Sequence, residues 1–507
     1  MDSTTQTDSA FAPQGRRPWR AVLLPLSLVL LAVALRTAEY AHNKAIWLDE
    51  AYVALNVLDR DYAGLLKPME WGQAAPLGFL FAELFAVEHA GASEYALRLL
   101  PYLAALAGAV LFWWVLRRWV SAQATPIALA LFALSPALTR YTAEVKPYST
   151  DVLVTLVLLA LATLCLERMS PIRIAALALG GAAAIWCAYP AAFVLAGAGA
   201  TLTVRVCAQR RWAVLPGLIL MGAVWLASFA WYYRVSLRAL GGNAEVMGWW
   251  AEYFMPMPSR SLADANWFVR TFFDFWSMPV GIPTIGIAAF AFVLGALSLV
   301  FRNRHLLLLL LSPVAVALLA SALGRYPFTD RFVLFAVPLA LPVLAEGFEV
   351  VRKRTRTRLV YGLLAAVMLV QPAIGGLRTL AAPDPAQGVR PAYDYLVERY
   401  QPGDVVYLYH WAQFPYRYCM TRDGRDMPFH AGITSRADWS YYVKDMEALP
   451  ASPRVWLVFV RDPKALVGEE EKFFLYWLDT HGTRTDELRA RDSSVYCYDL
   501  TSGGAAR

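Results

Sequence analysis

Apolar runs of about 15 to 22 residues recur along most of this chain, each long enough to cross or nearly cross the hydrocarbon of a bilayer. That recurrence excludes most folds. Inside lipid every backbone N–H and C=O needs an internal partner, which for single runs of this length means helices. Composition agrees. The chain is 58% hydrophobic and 17% charged, whereas in soluble globular domains about a quarter of the residues are charged. An all-α polytopic membrane protein is therefore expected.

Spans are expected over residues 21–35, 97–116, 120–137, 151–166, 172–188, 191–206, 213–232, 282–301, 306–323, 332–350 and 359–374, about eleven in all. Alternate loops carry Arg117/Arg118, Arg168/Arg173, Arg205/Arg210/Arg211, Arg302/Arg304 and Arg352/Lys353/Arg354/Arg356/Arg358. With this count each falls on the side of Arg16, Arg17 and Arg20, which makes that side cytoplasmic. The net charge of +7 is thus a topology signal, and nucleic-acid binding is excluded as its cause. Residues 1–20 form a cytoplasmic tail, polar and disordered over residues 1–14. No cleavage site follows the first run, so it is expected to stay as a span.

The long loops fall on the other side. In the first, residues 53–66 set Leu55, Leu58, Tyr62 and Leu65 against Asn56, Asp59, Arg60 and Asp61, an amphipathic helix expected to lie along the interface. Residues 76–90, with Glu83 and Glu88, are a poor spanning segment. The loop over 233–281 is rich in Trp, including Trp249 and Trp250, as suits headgroup depth. Beyond residue 375 the composition changes. Residues 404–410, 454–460 and 494–500 read as strands and 469–480 as a helix. The expected organisation is a cytoplasmic tail (1–20), a transmembrane catalytic domain (21–375) and a small extracytoplasmic α/β domain (376–507). Cys419 and Cys497 fall in that last part, where either one disulfide or two thiols fits.

Polar residues concentrate at the outer interface. Asp49 and Glu50 follow Trp47. One reading makes them a helix N-terminus, where acids suit the positive dipole end. The other makes a carboxylate held near the membrane surface the general base for an acceptor hydroxyl. The stretch Arg140-Tyr141-Thr142-Ala143-Glu144-Val145-Lys146-Pro147-Tyr148 reads either as interfacial anchoring or as an anion site, with arginine suited to bidentate phosphate binding and lysine acting as a point charge. Arg325, Tyr326 and Arg331 return cations to a face that the positive-inside bias disfavours. A phosphate or an ion pair with Asp330 or Asp49 accounts for them. Gln73-Ala74-Ala75-Pro76 reads first as a turn. Asp49-Glu50 lacks the spaced Asp-x-Asp form and the six histidines do not cluster, so no metal or other cofactor is expected.

A first span ending in Arg36 and followed by Trp47-Leu48-Asp49-Glu50-Ala51 resembles the first outer loop of GT-C glycosyltransferases. The likeness is to the bacterial protein O-mannosyltransferase and lipid A aminoarabinose transferase group, glycosyltransferase families 39 and 83. Residues 93–99, 141–148 and 325–328 are similar to further stretches of bacterial members, in the same order. The resemblance implies a bundle of about eleven spans with two interfacial helices in the first outer loop. It also implies a bacterial inner-membrane location, a polyprenyl-phosphate sugar donor and inverting single displacement without metal. Asp49 becomes the catalytic carboxylate and Glu50 its support. Gln73, Arg140, Tyr141, Glu144, Lys146, Tyr148, Arg325, Tyr326 and Arg331 become substrate- or phosphate-binding candidates, with Lys146 and Arg325 foremost. Many relatives carry His-Pro-Pro or Lys-Pro where this chain has Gln73 to Pro76, so Lys146 or Arg325 has to compensate, or the headgroup is held differently.

The expected partners are a polyprenyl-phosphate-linked sugar, a hydroxyl acceptor on a lipid, glycan or protein, and membrane lipids. The competing readings are a transporter or flippase of lipid-linked sugars and a non-catalytic scaffold. A transporter places ionisable groups near the bilayer midplane, whereas the charges here crowd one surface.

Overall fold

The computed structural model describes residues 20–238, 248, 250–355, 358–381, 388–460 and 467–501. The N-terminal tail, Trp249 and Arg356 lie outside the described residues. The chain divides into two compact units. The first comprises Met1–His42, Tyr62–Ala86 and Arg98–Pro383; the second comprises Asn43–Asp61, Val87–Leu97 and Asp384–Arg507.

The first unit is a helical bundle. Among the described residues nine helices are long and apolar enough to cross a membrane. Each of the eleven expected runs contains a helix, but two are shorter, Thr125–Leu134 and Pro171–Cys187. The first of these covers roughly 15 Å at about 1.5 Å per residue, half the hydrocarbon thickness. It ends early because the Ser135 hydroxyl caps a new turn, Pro136–Arg140, by accepting from the Leu138 N–H. At the other extreme, the helix beginning at Arg20 runs on to Ala41. Arg36 therefore lies within it, buried, and donates to the Ala32 and Phe132 carbonyls.

The bundle is built around the span that ends in the Val337–Thr355 helix. Its most apolar window is 94% buried, against 17% for Trp212–Leu237 and Leu359–Ala381. Small residues make this centre. A Cβ on Gly295 would sit 1.8 Å from the Val343 carbonyl oxygen, and one on Gly347 1.8 Å from that of Ala291. Only glycines let the Ile285–Arg302 helix approach that closely, the way helices pack where lipid gives no hydrophobic drive. Peripheral helices leave large apolar side chains exposed, among them Leu220, Leu226, Phe301 and Leu363, as lipid contact requires.

The second unit holds a five-stranded sheet ordered β2-β1-β3-β5-β4. Its strands are β1 (Val405–Leu408), β2 (His430–Ala431), β3 (Val455–Val460), β4 (Thr483–Arg489) and β5 (Ser493–Asp499). β1 runs parallel to β2 and β3, and β5 runs antiparallel to β3 and β4. The expected strands and the helix (Val467–His481) are present; the two edge strands, β2 and β4, escape the hydrophobic pattern. Cys419 and Cys497 are buried free thiols.

The unit's core is rich in tyrosine, and its hydroxyls end on carboxylates. Tyr407 donates to Asp445 at 2.6 Å, Tyr442 to Glu470 at 2.8 Å, Tyr496 to Glu471 at 2.8 Å and Tyr498 to Asp479 at 2.7 Å. Tyr409 also donates to Glu470. A buried phenol is tolerated when its O–H has an acceptor. Three of these acids lie on Val467–His481, so the sheet–helix interface is fixed by hydrogen bonds as well as by apolar contact.

Candidate functional site

The Leu48–Leu58 helix sets Asp49 and Glu50 in its first turn, and no side chain caps it. The helix-terminus reading therefore holds physically: both acids meet the positive dipole end. Glu50 is buried and Asp49 half-buried. Burial, then the charge of Asp49, pushes the Tyr52 phenol up to about 12, so a neutral phenol stands beside that carboxylate. The helix differs from the one expected over 53–66. It starts at Leu48 and ends at Leu58, and its residues 53–57 are buried, Asn56 included. Within its unit it packs on the helix Gln413–Asp423 through Tyr52 and Phe414, ring centroids 4.6 Å apart, and through an Asp59–Arg417 ion pair of 2.9 Å. A protein surface takes the apolar face assigned above to the membrane interface.

The remaining candidates belong to the first unit. Residues 141–150 are all buried, which an anchoring loop would not be. Burial demands that the loop's backbone groups find partners, and its own side chains supply them. Ser149 donates to the Tyr141 carbonyl at 2.8 Å and Thr142 to that of Leu138 at 2.9 Å. The Lys146 N–H closes a tight turn on the Glu144 carbonyl at 2.7 Å. Gly281 backs the preceding turn: at φ +86, a Cβ there would meet the Pro136 ring at 2.3 Å.

That turn aims Lys146, 5% exposed, at Gln73, whose amide oxygen accepts from Nζ at 3.0 Å. Gln73 follows Trp71 and Gly72, both at positive φ, a sharp backbone reversal. Lys146 and Gln73 are thus brought together. Arg140 is engaged differently. It pairs with Glu144 at 2.6 Å. Burial pulls its pKa down, but the Glu144 charge and hydrogen bond outweigh that and raise it.

The late loop joins the same cluster. The Arg331 guanidinium lies 5.8 Å from the ring centres of Tyr148, Trp250 and Phe332, and Tyr141 and Tyr148 meet edge to face at 4.8 Å. Tyr326 donates to the Phe332 carbonyl at 2.7 Å. Asp330, at φ 41, contributes charge to both Arg140 and Tyr141. The structure therefore gathers Arg140, Tyr141, Glu144, Tyr148, Tyr326 and Arg331, and joins Lys146 to Gln73. Arg325 stands apart: it is exposed. Asp49 and Glu50 belong to the other unit.

Two buried acids were not among the site residues expected from the sequence. Asp151, three residues past Tyr148, leaves one carboxylate oxygen without a hydrogen-bond partner among the described residues. Its charge is felt by Tyr189 and Tyr326. Glu83 is 0% exposed and neither of its oxygens has such a partner; burial holds its carboxyl well above the ordinary range. The signal for Asp151 was its spacing from the Arg140–Tyr148 stretch; Glu83 gave none. Among the described residues no three His, Cys, Asp or Glu side chains gather as a metal site requires.

No protein-family profile matches the sequence, and no curated protein does. The fold has solved counterparts. ArnT from Cupriavidus metallidurans in its apo state matches with a TM-score of 0.54 at 14% identity, over 95% of this chain and 99% of that one. The same protein bound to undecaprenyl phosphate matches with a TM-score of 0.56 at 14% identity, over 96% and 99%. The chain shares this fold from end to end: a GT-C helical bundle with a small α/β unit.

Proposed function

We propose that this protein is a membrane glycosyltransferase that takes a sugar from a polyprenyl-phosphate carrier and delivers it to a hydroxyl acceptor on the extracytoplasmic face. The observation that carries the reading is the buried Lys146 ammonium on Gln73, 3.0 Å away. A buried ammonium is suited to an anionic headgroup, and the structural counterpart was solved with undecaprenyl phosphate bound.

The reaction is an inverting displacement. The acceptor oxygen attacks the anomeric carbon from the side opposite the phosphate. The carbon–oxygen bond to phosphate breaks, and polyprenyl phosphate leaves with the electron pair. Asp49 takes the acceptor proton as general base, and Glu50 supports that carboxylate. Lys146 offsets the charge developing on the leaving phosphate, worth most in a water-poor site. Tyr141, Tyr148 and Arg331 hold the loops that present it, while Arg140, tied to Glu144, serves mainly to fix the turn. Arg325, exposed, is left to draw the anionic headgroup in. The N-terminus is cytoplasmic and the α/β unit extracytoplasmic, a topology that the positive-inside bias of the loops supports.

The test is transfer from a radiolabelled polyprenyl-phosphate sugar in membranes holding wild type, Asp49→Asn or Lys146→Ala. Label should move to a new product with wild type, hardly at all with Asp49→Asn, and with Lys146→Ala only at raised donor concentration. Transfer by Asp49→Asn at the wild-type rate would sink the assignment of the base.

A further inference from the structure

A cavity of about 960 Å³ in the first unit lies away from the outer loops. It opens at the opposite end of the bundle, the end that carries the arginine-rich loops. Its walls come from three helices, each lending one stripe at helical spacing. Leu24 and Leu28 come from Arg20–Ala41, and Pro126 and Ala130 from Thr125–Leu134. Tyr361, Ala365 and Leu369 come from Arg358–Ala381. Residues four apart lie on one helix face, so the three stripes form a continuous apolar trough. From 361 to 369 it runs roughly 12 Å, most of the ~15 Å half-thickness of the hydrocarbon core. Alanine at 130 and 365 keeps it hollow.

The mouth is polar and cationic. Arg352 and Lys353 line it from the end of the Val337–Thr355 helix. Both pair with one buried carboxylate, Glu349, Arg352 through two bonds of 2.7 Å and Lys353 at 3.4 Å. Two cations against one acid leave positive charge at the rim. Lys353 keeps 62% of its side chain exposed. Tyr361 donates to the Gln123 carbonyl and closes one side.

From these features we infer that the trough is a binding site for one anionic phospholipid of the leaflet on that side, its acyl chains along the three stripes and its phosphate at Lys353 and Arg352. An apolar slot of this depth matches acyl chain, and basic pockets between membrane helices suit anionic headgroups. That the leaflet is the cytoplasmic one follows from the proposed topology; the binding itself does not depend on it, nor on any transferase activity.

The experiment is native mass spectrometry of the full-length protein in mild detergent, titrated with phosphatidylglycerol, phosphatidylethanolamine, polyprenyl phosphate or inorganic phosphate. Wild type should retain one phosphatidylglycerol, with less phosphatidylethanolamine and no inorganic phosphate. Lys353→Gln leaves Arg352 on Glu349, so the fold is kept. It should lower phosphatidylglycerol retention about fivefold, the worth of one basic residue at an anionic surface. Ala365→Phe should exclude the lipid by filling the trough, with the melting temperature checking its fold. Unchanged retention in both variants, equal retention of phosphatidylethanolamine, or displacement of the phospholipid by polyprenyl phosphate overturns the proposal.

Discussion

The two units treat their buried charges differently. In the second unit the networks are closed. Glu94 meets both Arg390 and Arg422, Glu470 accepts from two tyrosines with Arg436 alongside at 3.4 Å, and Glu471 accepts from Ser494 and Tyr496. In the first unit some are closed, as Glu144 is by Arg140 and Glu349 by Arg352 and Lys353, but Glu83 and one oxygen of Asp151 lack a hydrogen-bond partner among the described residues. A closed network rigidifies a core; an open one carries a desolvation cost that a ligand or water can relieve. The first unit's unpartnered acids, Glu83 and Asp151, are therefore the ones to test for chemistry. The exception is Asp49, half-buried at the start of its helix in the second unit.

That exception gives the largest expected effect. Asp49→Asn should cut transfer by ~10²- to 10⁴-fold while costing at most the ~0.3–1 kcal/mol of one charge at a helix N-terminus, a small shift of the melting temperature. A large loss of stability instead would place Asp49 with the closed networks. Next comes the closed network itself. Glu94→Gln leaves two arginines facing an amide and should cost about 3–5 kcal/mol, read as a fall in the melting temperature of the second unit. A cost below about 1 kcal/mol is what a surface pair would give, and would dissolve the distinction between the units.

Lys146→Ala should raise the KM for the lipid-linked donor about ten- to a hundredfold, the usual worth of a hydrogen bond to a charged group. The KM for acceptor should change much less. Equal losses for both substrates would return Lys146 to a structural role.

The smallest effects concern pH, and the units should differ in sign. Glu83 has a raised pKa when folded, so the folded first unit holds a proton that the unfolded chain releases above about pH 4.3. Its stabilisation is full below that pH and is lost as pH rises through the elevated value. His410 in the second unit is held below its usual value, by burial and then by Arg436. Its contribution is full above about pH 6.5 and is lost as pH falls through the lowered value. Melting curves against pH for Glu83→Gln and His410→Gln should each lose the slope belonging to that unit. A Glu83→Gln variant that also lost transfer would make Glu83 part of the chemistry.

Much of the fold was legible because the relevant constraints are local. A run such as 306–323 has to be helical in lipid whatever surrounds it, and Leu306–Ala322 lies within the helix found there. The central strand β3, Val-Trp-Leu-Val-Phe-Val, announces itself by β-branched and aromatic residues. β4, Thr-Arg-Thr-Asp-Glu-Leu-Arg, alternates between exposed and half-buried and exists because β5 offers it an edge. The Leu48–Leu58 helix was misplaced because its apolar stripe carries no mark distinguishing lipid from protein. Of the candidate residues, the 140–148 stretch could be read as one group because it is continuous in sequence. Its burial could not, since that depends on what packs over it.

The sequence by itself determined that this protein is a multi-pass helical bundle with a small α/β unit, and that its polar residues crowd the loops opposite the arginine-rich ones. Both follow from the bilayer, which acts on each segment separately. Only the tertiary structure decided that Lys146 reaches Gln73 across 73 positions of sequence, that Arg140 is tied to Glu144 while Arg325 stays exposed, and that the Leu48–Leu58 helix joins the C-terminal unit. Those pairings are long-range or steric. They are set by which surfaces can be buried together, and composition and periodicity leave that open.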